Sequence, residues 1–300
     1  MNSTVAFIGL GHMGVPMAAG HVRAGHRVLG FDLVPDLLAS AATAGVEPSA
    51  SAAEADVVIT MLPAGRHVLA LYREQDLLAA ARPGTLFVDC STIDVADART
   101  VHEAATAAGH RALVAPVSGG VVGAEAATLT FMAGGGAAEF TDAEPLLRAM
   151  GKKAVHCGLP GAGQAAKICN NMILAVSMIG VSEAFVLAES PGLGHQALYD
   201  VASTASGQCW ALTVNCPVPG PVPTSPANRE YRPGFAAPLM AKNLGLAANA
   251  LHPGGVEAPL GLKAAEMYAA FAEGEGAALD FSAIVRTLRT TGPNPDASPA

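Results

Sequence analysis

The chain has 300 residues, length for about two domains, and 51% of them are hydrophobic, ample material for large cores. Its 17 Lys and Arg stand against 25 Asp and Glu, a net charge of −8, with no basic run, so neither nucleic acid nor an anionic membrane surface is an expected partner. Five cysteines without a CxxC pair suit reduced thiols in a cytoplasm, and nine histidines without an HExxH or clustered set give no expected metal site.

The N-terminus is apolar but has no basic n-region, so no signal peptide is expected. Val5 to Ile8 is a short apolar run with β-branched residues and predicts a strand; Gly9-Leu10-Gly11-His12-Met13-Gly14 follows at once, and Val15 to Ala24 has helical composition. In a strand-turn-helix of this kind the first glycine allows the tight turn, the second lets a pyrophosphate approach the backbone, and the third lets the helix pack closely on the strand. The phosphates would meet free N–H groups and the positive end of the helix dipole. A second apolar strand, His26 to Phe31, ends at Asp32, eighteen residues beyond Gly14, where a carboxylate can accept hydrogen bonds from the adenosine ribose. Leu33 follows, with no arginine to pair with a 2′-phosphate, so NAD is expected rather than NADP. The alternative is an ordinary strand-turn-helix without a ligand, and strand, glycines and acid together weigh against it.

Strand and helix signals go on alternating through the first half. Helices are predicted near Asp36 to Ala44, between His67 and Ala81, over Val95 to Ala108 and over Ala137 to Met150. Strands are predicted over Val57 to Met61, Thr85 to Asp89, Ala112 to Val117, Thr128 to Ala133 and near Ala154 to Cys157. This order argues for a largely parallel, doubly wound α/β sheet, whose ligands sit beyond the carboxyl ends of the strands. The pieces at those ends are MLPAGRH, DCSTID and APVSGG.

From about Gly161 the character changes. GAGQAAKICNNMILAVSMIGVSEAFVLAE runs nearly thirty residues without proline and predicts one long helix, apolar on almost every face and so suited to a bundle interior or a domain junction. It is too interrupted by Ser177, Ser182 and Glu183 to be expected as a membrane span. Helices near His195 to Ser203, Gly234 to Ala250 and Val256 to Ala272 make an all-α second domain. The expected division is 1–160, 161–290 and a disordered tail, 291–300. Between the helices lies a proline-rich stretch, 217–233, for which a stiff surface connection is expected over a polyproline ligand or a lid.

Lys167 is a cation in the first turns of a helix nearly devoid of charge, with Asn171 four residues on and on the same face. A lysine at a helix end commonly snorkels to solvent. Burial would instead disfavour the ammonium and lower its pKa from about 10.4, leaving a group able to exchange a proton with a substrate hydroxyl. For Asn170 and Asn171 the plain alternative is helix packing with satisfied amides, and for Trp210 it is core packing rather than a wall of a substrate pocket.

GLGHMGVPMA, the MLP at Met61 to Pro63, DCSTI, APVSGGVVGAEAATLTFMAGG, GAGQAAKICNN and FAAPLMAKNLGLA together resemble the β-hydroxyacid dehydrogenases, and among them the 3-hydroxyisobutyrate dehydrogenases, over nearly the whole chain. The resemblance implies a Rossmann-type N-terminal domain, an all-helical C-terminal domain joined by the long helix, NAD as cofactor and a homodimer or homotetramer. By position, Lys167 matches the catalytic lysine and Asn171 the asparagine that hydrogen-bonds substrate. Ser118, Gly119 and Gly120 match the loop for the substrate carboxylate. Leu62, Pro63 and Thr92 match contacts near the nicotinamide half of the cofactor, and Lys242 a lysine that closes over the cofactor. The substrate implied is a small 3-hydroxy acid, 3-hydroxyisobutyrate first, with L-serine, tartronate semialdehyde and hydroxymethylglutarate as alternatives.

Three positions depart from the family pattern: Val114 and Asn243 stand where aspartate is usual, and Ala127 where glycine is usual. None removes a proton-transfer group, though the substrate is less fixed than the reaction class. Two rivals remain. A non-catalytic NAD-binding redox sensor explains the glycines and Asp32 but not Lys167 with Asn171, and an imine reductase generally lacks the lysine.

Overall fold

The computed structural model describes residues 3–289, so the tail expected to be disordered lies outside the described residues. The chain divides into two compact units after Lys167.

The first unit contains β1 (Thr4–Ile8), α1 (Gly14–Arg23), β2 (Arg27–Phe31), α2 (Pro35–Thr43), β3 (Glu47–Pro48), β4 (Val57–Thr60), α3 (Gly65–Arg73), α4 (Leu77–Ala80) and β5 (Leu86–Asp89). It continues with α5 (Val95–Ala107), β6 (Arg111–Val114), β7 (Val117–Ser118), α6 (Gly120–Glu125), β8 (Leu129–Gly135), α7 (Ala137–Arg148) and β9 (Gly151–Gly158). The sheet runs in the order β3, β2, β1, β4, β5, β6, β8, with β7 and β9 also paired to β8. Strands β1 to β6 are all parallel to one another, β8 turns back antiparallel against β6 and β7, and β9 runs parallel to β8.

Alternation within each apolar strand supplies both faces of this sheet. Val5, Phe7, Val57, Ile59, Leu86, Val88 and Leu113 enter one core with Met17 and Leu147. The residues between them, Ala6, Val58, Phe87, Ala112 and Val114, enter a second core with Val68, Tyr72 and Val101. A strand buried on both faces has no polar period to show, which is why these runs are continuously apolar.

The register also levels the strand ends. Phe31, Ile8, Thr60, Asp89 and Val114 lie in one row across five strands, so Asp32, Gly9, Met61, Cys90 and Ala115 all begin loops at one edge. The strand expected over Ala112 to Val117 is split. Its two halves share one register against β8, Leu113 opposite Gly135 and Val117 opposite Phe131. The gap falls at Ala115-Pro116, where proline has no N–H to donate. Met132 N still donates to the Pro116 carbonyl at 3.0 Å.

The long helix is α8 (Ala162–Glu189), and the division of the chain falls inside it. Its opening turn belongs with the sheet because Gly163 lies against β8: a Cβ there would collide with the Met132 carbonyl. By length and composition α8 would suffice to cross a membrane.

The second unit adds α9 (His195–Ala202), α10 (Trp210–Thr213), α11 (Ala237–Gly254), α12 (Pro259–Glu273) and α13 (Val285–Leu288). Met178, Phe185, Met240, Tyr268, Phe271 and Phe281 lead its core. Two expectations fail here. The proline-rich stretch is not a surface connection: Val218, Val222, Ala227 and Tyr231 are core residues, Tyr231 OH donates to the Pro217 carbonyl at 2.7 Å and Ser225 Oγ to the Cys216 carbonyl at 2.6 Å. Prolines pre-set an irregular backbone that packs inward. Trp210 is 51% exposed and so not core, because it opens the four-residue α10 while Ala211 and Leu212 take the buried positions.

Candidate active site

The glycine loop leaves β1 with Gly9 at φ +94°. A Cβ on Gly9 would strike the Met61 carbonyl, and one on Gly14 would strike the Gly9 carbonyl, so both glycines are required by the protein's own packing. Gly11 differs: a Cβ there would meet nothing within 4 Å. The open side of Gly11 is where a pyrophosphate needs room. Helix α1 starts at Gly14 with no side-chain cap and no acidic residue in its first turn; Val15 N is taken by the Gly11 carbonyl and Pro16 has no N–H, so it is the positive end of the helix dipole that the loop offers an anion. A dinucleotide therefore fits this loop.

Asp32 is engaged on both oxygens. Oδ2 accepts from Leu10 N at 2.8 Å and Oδ1 from Val34 N at 2.9 Å. The acid therefore braces the glycine loop, and a carboxylate's remaining lone pairs stay available to ribose hydroxyls. Leu33 beside it is 98% exposed.

At the ends of β4 and β5 a buried polar network fixes two further loops. Asp89 Oδ1 accepts from Thr60 Oγ1 at 2.7 Å and from Ser91 Oγ at 2.6 Å. Ser91 Oγ in turn accepts from Leu62 N at 2.9 Å, which sets the course of Leu62 and Pro63. Gln164, fully buried on α8, donates from Nε2 to the Ser91 carbonyl at 2.7 Å and accepts on Oε1 from Ile93 N at 3.3 Å. Thr92 lies between those two peptide groups. Sequence reasoning named Leu62, Pro63 and Thr92 but missed Thr60, Asp89, Ser91 and Gln164. The available signal was polar residues ending apolar strands and one glutamine in an apolar helix. Val114, next to Asp89 in the row, is buried in the second core; the usual aspartate there would set a second carboxylate beside the first, which like charges disfavour.

Ser118 ends β7, Gly119 has φ +138° and Gly120, at φ +61°, opens α6. Gly119 is exposed and Ser118 and Gly120 are partly so. Ala127 has φ +51°, the left-handed region that accounts for the family's glycine and that alanine adopts only at a cost.

Lys167 does not snorkel: it is 7% exposed. Burial pulls its amine down from the ordinary lysine range to about 8, and no ion pair or hydrogen bond from a described residue offsets that. Asn171, one turn on, is buried; its Oδ1 accepts from Asn170 Nδ2 at 3.3 Å, while its Nδ2 has no acceptor among the described residues. A buried amide N–H without a partner is costly. Lys242 is half-buried on α11, followed by the buried Asn243. Among the described residues no group of three His, Cys, Asp or Glu is placed to hold a metal, and the cysteines are free thiols.

Residues 4–158 match the NAD binding domain of 6-phosphogluconate dehydrogenase, and residues 161–288 match the NAD-binding domain of NADP-dependent 3-hydroxyisobutyrate dehydrogenase. The chain is 57% identical over 291 residues to a protein of Mycobacterium tuberculosis named probable 3-hydroxyisobutyrate dehydrogenase, covering 96% of this chain and 98% of that one. It is 46% identical to an NAD-dependent L-serine dehydrogenase of Pseudomonas aeruginosa, covering 96% and 98%. A solved structure of the Mycobacterium tuberculosis 3-hydroxyisobutyrate dehydrogenase with L-serine superposes with a TM-score of 0.93, covering 97% of this chain and 100% of that one at 57% identity. The chain is thus an NAD(P)-dependent oxidoreductase, and it belongs to the 3-hydroxyisobutyrate dehydrogenase family of β-hydroxyacid dehydrogenases.

Proposed function

We propose that this enzyme oxidises a 3-hydroxy acid to its semialdehyde with NAD, and that 3-hydroxyisobutyrate, giving methylmalonate semialdehyde, is its substrate. The observation that carries the reading is Lys167, an amine held near a pKa of about 8 by burial, one helical turn ahead of an asparagine with an unused buried N–H. Such an oxidation must shed a proton and a hydride from one H–C–O–H unit. NAD, when bound, takes the hydride. Neutral Lys167 takes the hydroxyl proton at Nζ, and in the reverse direction its ammonium returns it. Asn171 Nδ2 donates to the substrate oxygen and fixes it. Ser118 Oγ and the amides of Gly119 and Gly120 hold the carboxylate by charge-assisted hydrogen bonds. No step calls for a metal.

Asp32 and Leu33 support NAD: the carboxylate repels a 2′-phosphate and leucine offers it no cation. L-Serine is the second substrate to weigh, supported by the 46% identical relative of that name. We also place the protein in the cytoplasm, as a homodimer or homotetramer. Ile173 and Leu187, fourteen residues and so four turns apart on α8, are both exposed, and a second copy would cover them; a monomer by light scattering would contradict this.

The deciding experiment is NADH and NADPH formation with a panel of 3-hydroxy acids that includes 3-hydroxyisobutyrate and L-serine. Efficient turnover of 3-hydroxyisobutyrate with NAD supports the reading. NAD binding without turnover of any hydroxy acid would favour a redox sensor instead, and equal use of NADP would overturn the role given to Asp32.

A further inference from the structure

Gln164 takes no part in the proton and hydride steps above, yet it is fully buried in the opening turns of α8. A carboxamide away from water is tolerated only when both its ends are satisfied, and both are used on a single loop. Nε2 donates to the carbonyl before Thr92 and Oε1 accepts from the N–H after it. The same loop is held from its other side, since Ser91 Oγ donates to Asp89 and accepts from Leu62 N. A continuous chain of hydrogen bonds therefore links Leu62, Ser91 and Gln164. Lys167 follows Gln164 by three residues, which places both on one side of the helix.

We propose that Gln164 is a positioning residue: it sets the loop of Thr92, and with it the hydride acceptor, at a fixed distance from the turn that carries Lys167. The proposal rests on the dehydrogenase reading. Hydride transfer demands reacting atoms at near-contact distance, and displacement on the order of 1 Å by a change remote from the chemistry costs up to about 10²-fold in rate. Gln164→Leu leaves the Ser91 carbonyl and the Ile93 amide without partners. Gln164→Glu keeps the acceptor for Ile93 but sets a carboxylate oxygen against the Ser91 carbonyl. Neither change touches Lys167 or the glycine loop.

The test is the single-turnover rate of NADH formation, with enzyme in excess over hydroxy acid and NAD saturating, alongside NAD affinity by calorimetry and melting temperature. Both variants should transfer hydride about 10 to 100 times more slowly per NAD-binding site, while NAD affinity changes less than about threefold. A substrate deuterated on the reacting carbon should slow the variants further. A purely structural role lowers the melting temperature or the number of NAD-binding sites but not the rate at each site. The proposal is overturned by a rate per site within about twofold of the unmodified enzyme. If Gln164→Leu fails to fold, Gln164→Glu is judged by the same criteria. An unmodified enzyme that transfers no hydride from any hydroxy acid removes the dehydrogenase reading itself, and this inference with it.

Discussion

Two buried bases, His21 on α1 and Lys167 on α8, differ in what burial does to them. His21 is 0% exposed, with neither ring nitrogen hydrogen-bonded to a described residue. Burial first, and then the His26 ring 5.5 Å away, hold it down at about 3. It is neutral at any working pH and has no proton to exchange there. Lys167 is nearly as buried, but its amine comes down only to about 8, within reach of neutrality at pH 7 to 8, where a general base is most effective. Asn171, with a spare N–H, and Gln164, bound to the Thr92 loop, lie within a turn of it. Burial alone does not make a site. On the proposed mechanism it does so at Lys167, where the shifted pKa meets the operating pH beside polar neighbours.

The largest way to break this comparison is to remove each base. Lys167→Ala should lower kcat by about 10²- to 10⁴-fold, the scale for losing a positioned acid or base, with NAD binding retained on calorimetry. His21→Leu should leave kcat within about twofold, and a large loss would mean that the two buried bases had been told apart wrongly.

Stability sharpens the contrast through the pH window: for both bases it rises with pH, but over different ranges. Between pH 8 and 10.5 the unfolded lysine is protonated and the folded one is not, so stability rises with pH across that window. Below pH 8 the folded protein carries the full penalty of a buried ammonium, about 3 kcal/mol for the shift from 10.5 to about 8. Lys167→Met should therefore be more stable than the unmodified protein at pH 7 by up to that amount in denaturant titration, while inactive. For His21 the unfolded ring binds a proton below pH 6.5 and the folded one does not until about 3. Stability is thus lost as pH falls from 6.5 toward 3. His21→Leu should retain about 2–3 kcal/mol more than the unmodified protein at pH 4.5, and little difference at pH 8, where both states are neutral. Identical acid limbs would show that His21 is hydrated.

A smaller effect concerns the carboxylate loop. Ser118→Ala should raise the KM for hydroxy acid by about tenfold, one lost hydrogen bond to a charged group, with NAD affinity unchanged; a loss of NAD affinity would reassign the loop.

Most of the first unit was legible because its strands are apolar on both faces and stop abruptly at glycine or polar loops. Gly9, Gly11, Gly14 and Asp32 showed a spacing with one mechanical use, although Asp32 also binds Leu10 N and Val34 N, which no spacing reveals. The antiparallel return of β8 was not legible, since its apolar run carries no sign of direction. Gln164, Ser91 and Asp89 meet across separations of up to 73 residues, and only the fold joins them. The packing of 217–233 was misjudged because proline content speaks for stiffness, whereas Val218, Val222 and Tyr231 decide which way the stretch faces.

The most direct measurement is the pH dependence of kcat/KM for hydroxy-acid oxidation, run on the unmodified enzyme and on Lys167→Arg. If neutral Lys167 accepts the proton, kcat/KM should rise with pH through an apparent pKa near 8, because desolvation has lowered the lysine to about that value. Arginine keeps its proton at every pH tested, so the variant should be nearly inactive throughout. A flat profile in the unmodified enzyme, or most of its rate surviving in Lys167→Arg, would contradict the account: Lys167 would then be a carboxylate-binding cation, and the proton would leave through another group.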